Sequence, residues 1–239
     1  MFAAVSVFVS LIATLIYQSG FSLSCFSNGY IAGKMTASAV FLTVGIVAFF
    51  ITKKKKYALP ILVGLVFGFA GDLLLAISVG GNQTLFLVGM GAFFANHISF
   101  LAALYLTDRF RIRDAVVGGA VLAFLAAMLV FGKADVGGMA VPVCLYMISL
   151  SALVGKAISV FSLRKLGPTC SVLMILGILL FAVSDILLCM SMFMNVSAAV
   201  TAIIPGAVYR FSPDKALDIF NAVFYFTGQT LIACSIRYR

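Results

Sequence analysis

The stretch from residue 64 to residue 77 reads Gly-Leu-Val-Phe-Gly-Phe-Ala-Gly-Asp72-Leu-Leu-Leu-Ala-Ile. A second stretch, from residue 177 to residue 190, reads Gly-Ile-Leu-Leu-Phe-Ala-Val-Ser-Asp185-Ile-Leu-Leu-Cys-Met. In both, the aspartate is the only charge, stands eight residues after a glycine and precedes a run of aliphatic residues. Such stretches indicate membrane-spanning helices, where a carboxylate costs about 2.5–3.5 kcal/mol and is by default functional. The matching positions predict a duplicated scaffold that brings two acids to one site.

The composition indicates an integral membrane protein. Hydrophobic residues make up 64% of the 239 residues and charged residues only 10%, and the mean hydropathy is +1.21. Soluble domains carry about 25% charged residues. Membrane-spanning segments would account for almost the whole chain, which predicts a single transmembrane domain over residues 1–239. The net charge of +9 is attributed to basic loops, and no nucleic-acid partner is expected.

Hydrophobic periodicity predicts an all-α bundle of eight transmembrane helices, since a helix needs about 20 apolar residues to cross a bilayer. The predicted spans are 2–18, 35–52, 58–79, 84–106, 114–132, 138–160, 169–193 and 215–236.

The basic residues divide unevenly between the two sides of this arrangement. Lys53 to Lys56, Arg109, Arg111, Arg113, Arg164, Lys165, Arg237 and Arg239 follow even-numbered spans, whereas Lys34, Lys133, Arg210 and Lys215 fall on the other side. Cytoplasmic loops collect lysine and arginine. Both termini are therefore predicted to be cytoplasmic, and Lys53 to Lys56 are expected to contact anionic membrane lipids.

The third and seventh of eight spans run in the same direction, which predicts a parallel four-plus-four repeat. The halves are residues 1–108 and 109–239, related by an axis along the membrane normal. The fourth span contains Phe-Ala-Asn-His97-Ile-Ser-Phe and the eighth contains Phe-Thr-Gly-Gln229-Thr-Leu-Ile. His97 and Gln229 therefore occupy corresponding places.

A helical rise of about 1.5 Å per residue places Asp72, Asp185, His97 and Gln229 between the midplane and the outer leaflet. Lys34, at the outer start of the second span, reaches the same layer. We predict a cavity between the repeats, lined by these four side chains, with Lys34 near its mouth. The two carboxyl groups are expected within about 10 Å, as in paired catalytic carboxylates.

Each candidate also has a structural interpretation. Buried aspartates, histidines and glutamines often join helices by hydrogen bonds. Tyr225 is commonly a packing aromatic, and Lys34 alone would be a solvated loop residue. The five cysteines, Cys25, Cys144, Cys170, Cys189 and Cys234, have neither metal nor redox spacing. No metal and no cofactor are therefore predicted.

Five blocks, Gly64–Ile77, Phe86–Tyr105, Pro142–Tyr146, Gly177–Met190 and Tyr225–Ile232, resemble the YhhN-type membrane family, the lysoplasmalogenases. The resemblance covers nearly the whole chain in the family's order. The family's Gly-Asp and Ser-Asp helices are matched by the helices of Asp72 and Asp185. Its histidine in helix four is matched by His97, its glutamine in helix eight by Gln229 and its lysine in helix two by Lys34.

The chain departs from the family pattern at three places. Met35 stands where a proline is usual, and Phe100 where a tyrosine commonly follows the histidine. Ser191-Met192 replaces an Asn-Arg pair after the second aspartate. The last change concerns the region expected to bind a charged headgroup.

The resemblance implies hydrolysis of the vinyl ether bond of a lysophospholipid substrate, a lysoplasmalogen, to a fatty aldehyde and glycerophospho-ethanolamine or -choline. This chemistry needs an acid that keeps its proton and an anion that stabilises an oxocarbenium ion, and two buried carboxyl groups supply both. His97 or Gln229 would position water, Lys34 would meet the phosphate, and Tyr225 is a further candidate substrate-binding residue. Which aspartate is the acid is left open by the sequence.

Three other functions also depend on charged residues within membrane helices. A proton-coupled transporter also uses intramembrane Asp and His and is the alternative. An aspartyl protease signature would need glycine at Phe69, and a retinal protein would need a lysine within residues 216–236. A bacterial cytoplasmic membrane is the expected location, with the endoplasmic reticulum membrane as the alternative.

Overall fold

The computed structural model describes residues 1–18, 29–79, 81–196 and 213–239, and in these ranges every regular element is helical. The α-helices are α1 (Phe2–Gln18), α2 (Gly29–Ile51), α3 (Lys55–Ser78), α4 (Gln83–Tyr105), α5 (Ile112–Phe131), α6 (Ala140–Ser162), α7 (Pro168–Phe193) and α8 (Pro213–Ser235). Short 3-10 turns cover Gly137–Met139 and Ile236–Tyr238.

The prediction of an all-α membrane bundle is confirmed. In the described ranges, seven helices are long and apolar enough to cross a membrane, and α1, with 17 residues, is a shorter apolar helix. The faces of α1 show the same environment, because Ser6, Ser10 and Thr14 point into the bundle while Val5 and Phe8 are exposed. An element that buries hydroxyls and exposes hydrocarbon suits a lipid surrounding.

Helix α2 begins earlier than the hydropathy pattern predicts. Its first residue is Gly29 rather than residue 35, since the preceding residues are compatible with a helix although less apolar. Lys34 therefore lies inside α2, one turn before Ser38, and the two side chains share a face. Helix α3 likewise begins at Lys55 rather than at residue 58.

Glycines allow the closest helix pairs, α3 with α4 and α7 with α8, to approach. A Cβ atom on Gly177 would lie 2.8 Å from the carbonyl oxygen of Gly228, and one on Gly64 would lie 2.5 Å from the Phe100 ring. Gly64 and Gly177 are the glycines that open the two repeated stretches. Small residues at such interfaces let backbones pack closely in membranes.

We expect Gly177→Ala to lower the stability of the bundle by about 1–3 kcal/mol, because the added methyl meets backbone that cannot move aside. The thermal unfolding midpoint of the purified protein in detergent measures this. Gly119→Ala is the matched control, since a Cβ there meets nothing within 4 Å and alanine favours the helix. Equal midpoints for the two variants would contradict this packing role.

The chain ends and most basic residues lie at one end of the bundle. Arg237 stacks on the Phe2 ring at 4.6 Å, and Arg239 lies 5.8 Å from the centroid of the Tyr57 ring at the start of α3. Lys53 to Lys56 are exposed there. The positive-inside rule would make this end cytoplasmic, and the location of the termini stays a prediction.

A buried ion cluster ties α4, α5 and α6 together at this basic end. The fully buried Lys156 ammonium pairs with Asp114 at 2.9 Å and with Asp108 at 3.7 Å. Arg111 makes two hydrogen bonds to Asp108, at 2.8 and 3.1 Å, and these hold the pKa of the Asp108 carboxyl at about 2. Buried charges persist when paired in this way.

Several helix contacts occur in matching pairs, although α1 also packs on α8 whereas the corresponding helices α5 and α4 show no comparable contact. Helix α3 packs on α4 as α7 packs on α8, α1 packs on α2 as α5 packs on α6, and α4 contacts α6 as α8 contacts α2. The repeat itself stays a prediction. Cys25 and Arg210 lie outside the described residues.

Candidate active site

Asp72 and Asp185 hold the same place in their helices, counted from the first residues of α3 and α7. Both side chains are buried, with relative exposures of 1% and 8%. They differ in the partners that surround them.

Asp72 lies among three donors. Its Oδ2 accepts hydrogen bonds from the hydroxyls of Ser38, at 2.7 Å, and Tyr225, at 2.8 Å. Its Oδ1 is 3.4 Å from the Lys34 ammonium. All of these partners favour the negatively charged carboxylate. Lys34 and Ser38 come from successive turns of α2, whereas Tyr225 comes from α8.

Asp185 faces a histidine. Its Oδ2 lies 3.2 Å from His97 Nε2, and neither atom has a hydrogen bond of standard geometry among the described residues. The Tyr146 hydroxyl is a second neighbour that interacts with the Asp185 carboxyl group. The imidazole is fully buried between the rings of Tyr146 and Phe181, with centroid distances of 4.7 and 5.1 Å. These rings fix the plane of the imidazole and so aim Nε2 at the carboxyl group.

The other imidazole nitrogen defines the tautomer. His97 Nδ1 is 3.0 Å from the Ser149 hydroxyl, which donates its hydrogen to the closer carbonyl oxygen of Tyr146, at 2.7 Å. A hydroxyl has only one hydrogen, so this network assigns Ser149 as the acceptor from His97 and places the imidazole proton on Nδ1. The proton on one nitrogen determines what the other can do.

One cavity, of about 290 Å³, adjoins both aspartates. It lies at the end of the bundle opposite the basic end, where α1 stops, α2 begins and α3 and α7 approach their last turns. Its lining residues are Tyr17, Gln18, Tyr30, Lys34, Asp72, Leu75, Phe93, Tyr146, Ser184, Asp185, Leu188, Asp218, Asn221, Ala222, Tyr225 and Phe226. We call this cavity the polar chamber.

A second cavity, of about 70 Å³ and almost entirely apolar, lies between α4, α5, α6 and α7. Phe86, Met90, Leu125 and Met128 are among its walls. Asp185 and Tyr146 line both this apolar slot and the polar chamber. Asp185 therefore stands where an apolar space meets a polar one.

The structure brings most of the predicted site residues to the polar chamber. Asp72, Asp185, Lys34 and Tyr225 line it. His97 does not line it, contrary to expectation, because Asp185 and Tyr146 stand between the imidazole and the space. Its links to the chamber wall run through Asp185 and Tyr146.

Gln229 is also absent from the chamber wall. Its side chain is fully buried, and both amide atoms lack a hydrogen-bond partner in the described part of the chain. A Cβ on Gly68 would lie 3.4 Å from Gln229 Nε2, 3.1 Å from Asn96 Nδ2 and 3.5 Å from the Tyr225 hydroxyl. Gln229 thus belongs to a buried polar layer beside Tyr225, and direct contact with substrate stays a prediction.

Sequence reasoning missed several residues of the site. Ser38 follows Lys34 by one helical turn, a spacing that could have identified it. Tyr146 and Ser149 lie on α6, an apolar helix with no acid, and only their meeting with His97 gives them a role. Asp218 received no role from the sequence, although it lines the chamber.

The sequence profile of the YhhN family matches residues 32–236, which covers most of the chain. The chain belongs to the YhhN family. All six predicted site residues fall within the matched region. No curated protein and no solved structure match this chain.

This YhhN protein offers carboxylates, an imidazole and hydroxyls at its site. Among the described residues, no three His, Cys or acidic side chains are grouped as metal ligands. A buried imidazole–carboxyl pair can transfer a proton, and a second carboxyl group can stabilise a positive charge.

Proposed function

We propose that this YhhN-family protein hydrolyses the vinyl ether bond of lysoplasmalogens, releasing a fatty aldehyde and a glycerophospho-ethanolamine or -choline. The observation that carries the proposal is that two differently partnered aspartates adjoin one chamber. Asp185 also adjoins an apolar slot. The protein would act in a membrane, and a bacterial cytoplasmic membrane is the proposed location.

Asp185, with His97, is the proposed acid. His97 Nδ1–H donates to Ser149, so in the neutral imidazole Nε2 presents a lone pair to Asp185 Oδ2 at 3.2 Å. Two lone pairs would repel at this distance, and one shared proton removes the repulsion. The pair thus holds a proton at the chamber wall. Two carboxyl groups whose surroundings differ in this way commonly divide the acid and anion roles.

Asp72 is the proposed stabilising anion. Two hydroxyl donors and the Lys34 ammonium favour the charged form of its carboxyl group. A fixed negative charge beside the substrate lowers the free energy of a cation that forms only in the transition state. Glycosidases use paired carboxyl groups on a similar oxocarbenium-like species.

The proposed reaction has three steps: protonation, addition of water and collapse of a hemiacetal. The acid transfers its proton to the β-carbon of the vinyl ether, and the C=C electron pair forms the new C–H bond. Water adds to the α-carbon of the resulting oxocarbenium ion and loses a proton to the acid's conjugate base, which gives a hemiacetal. The hemiacetal collapses to an aldehyde and the free glycerol hydroxyl. The net change is the addition of one water molecule.

The two cavities suit the two ends of a lysolipid. The apolar slot would receive the start of the hydrocarbon chain, and the polar chamber would receive the glycerol phosphate, with Lys34 binding the phosphate. The vinyl ether joins chain and glycerol, so it would lie at the junction beside Asp185. Holding the reacting atoms near the acid supplies much of the expected acceleration.

The proposal predicts aldehyde release from lysoplasmenyl-ethanolamine by the purified protein. The alkyl-ether analogue, which has the same headgroup but no double bond, is the matched control, because it cannot be protonated to an oxocarbenium ion. Aldehyde detection by a coupled dehydrogenase measures both. Absence of aldehyde from the vinyl ether substrate, with folded protein in a lipid bilayer, would contradict the proposal.

The second candidate is a proton-coupled transporter, which the buried His97–Asp185 pair also suits. It predicts accumulation of a lysolipid or small metabolite in proteoliposomes under a proton gradient, without aldehyde release. Uptake and aldehyde assays on one preparation separate the two functions.

A further inference from the structure

The mouth of the polar chamber carries an acid that the proposed reaction does not use. Asp218 lines the chamber and is exposed. It lies on α8, and its backbone carbonyl accepts a hydrogen bond from Gln18 Nε2 at 3.2 Å, which joins it to the end of α1. The segment that bears Asp218 is therefore held against the end of α1.

Among the described residues, Asp218 is oriented by a hydroxyl and pairs with no cation. Ser191 donates to its Oδ1 at 3.0 Å, and Ser191 is the residue that departs from the usual Asn-Arg pair of the family. Among the described residues, no lysine or arginine forms an ion pair with Asp218. Within the described part of the chain its carboxylate therefore has no cationic partner, and a cation that enters the chamber would meet it.

The charges around the chamber favour a ligand that brings its own positive group. Its described walls hold three aspartates and one cation, Lys34, which already pairs with Asp72. An anionic headgroup without an amine would be attracted by Lys34 but repelled by Asp218. A zwitterionic headgroup would place its phosphate near Lys34 and its ammonium near Asp218, so that charges on both sides are complementary.

Two tyrosines line the same chamber as Asp218. Tyr17 and Tyr30 line the chamber, their ring centroids lie 5.8 Å apart at an interplanar angle of 55°, and Tyr30 is half exposed. Tilted aromatic faces beside a carboxylate bind ammonium and quaternary ammonium groups by cation–π attraction.

We infer that Asp218, with Tyr17 and Tyr30, forms a cation subsite that selects lysolipids with an ammonium or trimethylammonium headgroup. This inference rests on the proposed function for the identity of the ligand as a lysolipid. The site itself needs no cleavage, so binding tests it separately.

The experiment measures binding of two ester-linked lysolipids with equal short chains by calorimetry, on the full-length protein in nanodiscs. One lipid has a choline headgroup and the other a glycerol headgroup. We expect the wild type to prefer the choline lipid and Asp218→Asn to weaken that lipid about fivefold to tenfold, as for one partly exposed charge pair plus an orienting contact. The glycerol lipid should bind the variant as well as the wild type or better.

Asp214→Asn is the matched control. It removes the same charge one turn earlier on α8, and Asp214 is exposed and does not line the chamber. Tyr30→Leu is a second variant, expected to weaken the choline lipid about twofold to fivefold. Loss of choline preference in Asp218→Asn but not in Asp214→Asn supports the subsite, and an unchanged preference in Asp218→Asn overturns it.

The outcome is separable from that of the proposed reaction. Headgroup preference that depends on Asp218 in a protein that releases no aldehyde supports the subsite and removes the hydrolase proposal. Aldehyde release whose headgroup preference is the same in Asp218→Asn and wild type overturns the subsite and leaves the hydrolase proposal standing.

Discussion

Asp185→Asn is expected to lower the rate of vinyl ether cleavage at least 100-fold, the lower limit for loss of a positioned acid. Asparagine has nearly the same shape, but its amide cannot deliver a proton to the β-carbon. The fold should persist, because the amide still meets His97 Nε2 as a donor. Turnover measured with lysoplasmenyl-ethanolamine, together with the elution profile in detergent, tests both statements.

Asp135→Asn is the control for the loss of an aspartate, since Asp135 is exposed in the α5–α6 connection, away from the chamber. It should cleave substrate like the wild type. His97→Gln tests whether the imidazole and the carboxyl act as a unit. If they do, the double variant is no slower than Asp185→Asn, because residues of one catalytic unit are not additive. Wild-type turnover by Asp185→Asn would mean that this aspartate has only a structural role.

The helices and the paired acids could be predicted because both depend on local sequence. Membrane spans can be predicted from the length of apolar segments. The acids stand out because a charge within such a segment is costly and is therefore seldom kept for structure alone. The same reasoning placed Lys34 in the same layer as Asp72, and the Lys34 ammonium lies 3.4 Å from the Asp72 carboxyl group. Matching depth along helices that run in known directions was sufficient for this.

The partners of the acids could not be predicted, since they depend on helix rotation. Depth places His97 and Gln229 in one layer, but only packing decides that His97 meets Asp185 while Gln229 stays beside Gly68. Ser149 gives no sequence signal, because serines occur on many membrane helices and bond their own backbone. Asp218 was overlooked because an acid at a helix end is ordinarily solvated.

The division of roles is likewise a property of the packed bundle. The two repeated stretches are so similar that the sequence leaves their aspartates equivalent. Tyr225 on α8 reaches Asp72, whereas the position of α4 that corresponds to it is Phe93, which has no hydroxyl. Asp72 therefore gains a donor from α8 that Asp185 does not gain from the corresponding position of α4. This aromatic difference is one source of the asymmetry, together with Lys34 and Ser38 beside Asp72 and His97 beside Asp185.

Asp72→Asn is the second substitution with a large expected effect, again at least 100-fold on turnover. Asparagine keeps the volume and one acceptor for the hydroxyls of Ser38 and Tyr225 but removes the negative charge. The developing oxocarbenium ion then faces the Lys34 ammonium without its counter-charge. The loss should appear in kcat, since the stabilised cation exists only in the transition state.

This interpretation predicts an unusual double variant. Lys34→Met alone should raise KM, because the phosphate loses its cation. In the Asp72→Asn background, Lys34→Met should instead raise kcat above that of Asp72→Asn, because it removes the unpaired positive charge next to the forming cation. Steady-state kinetics on the four proteins, with thermal midpoints to verify folding, measure the effect. A double variant with a lower kcat than Asp72→Asn would mean that Asp72 does not act as the stabilising anion, and that its pairing with Lys34 serves only to join α2 to α3.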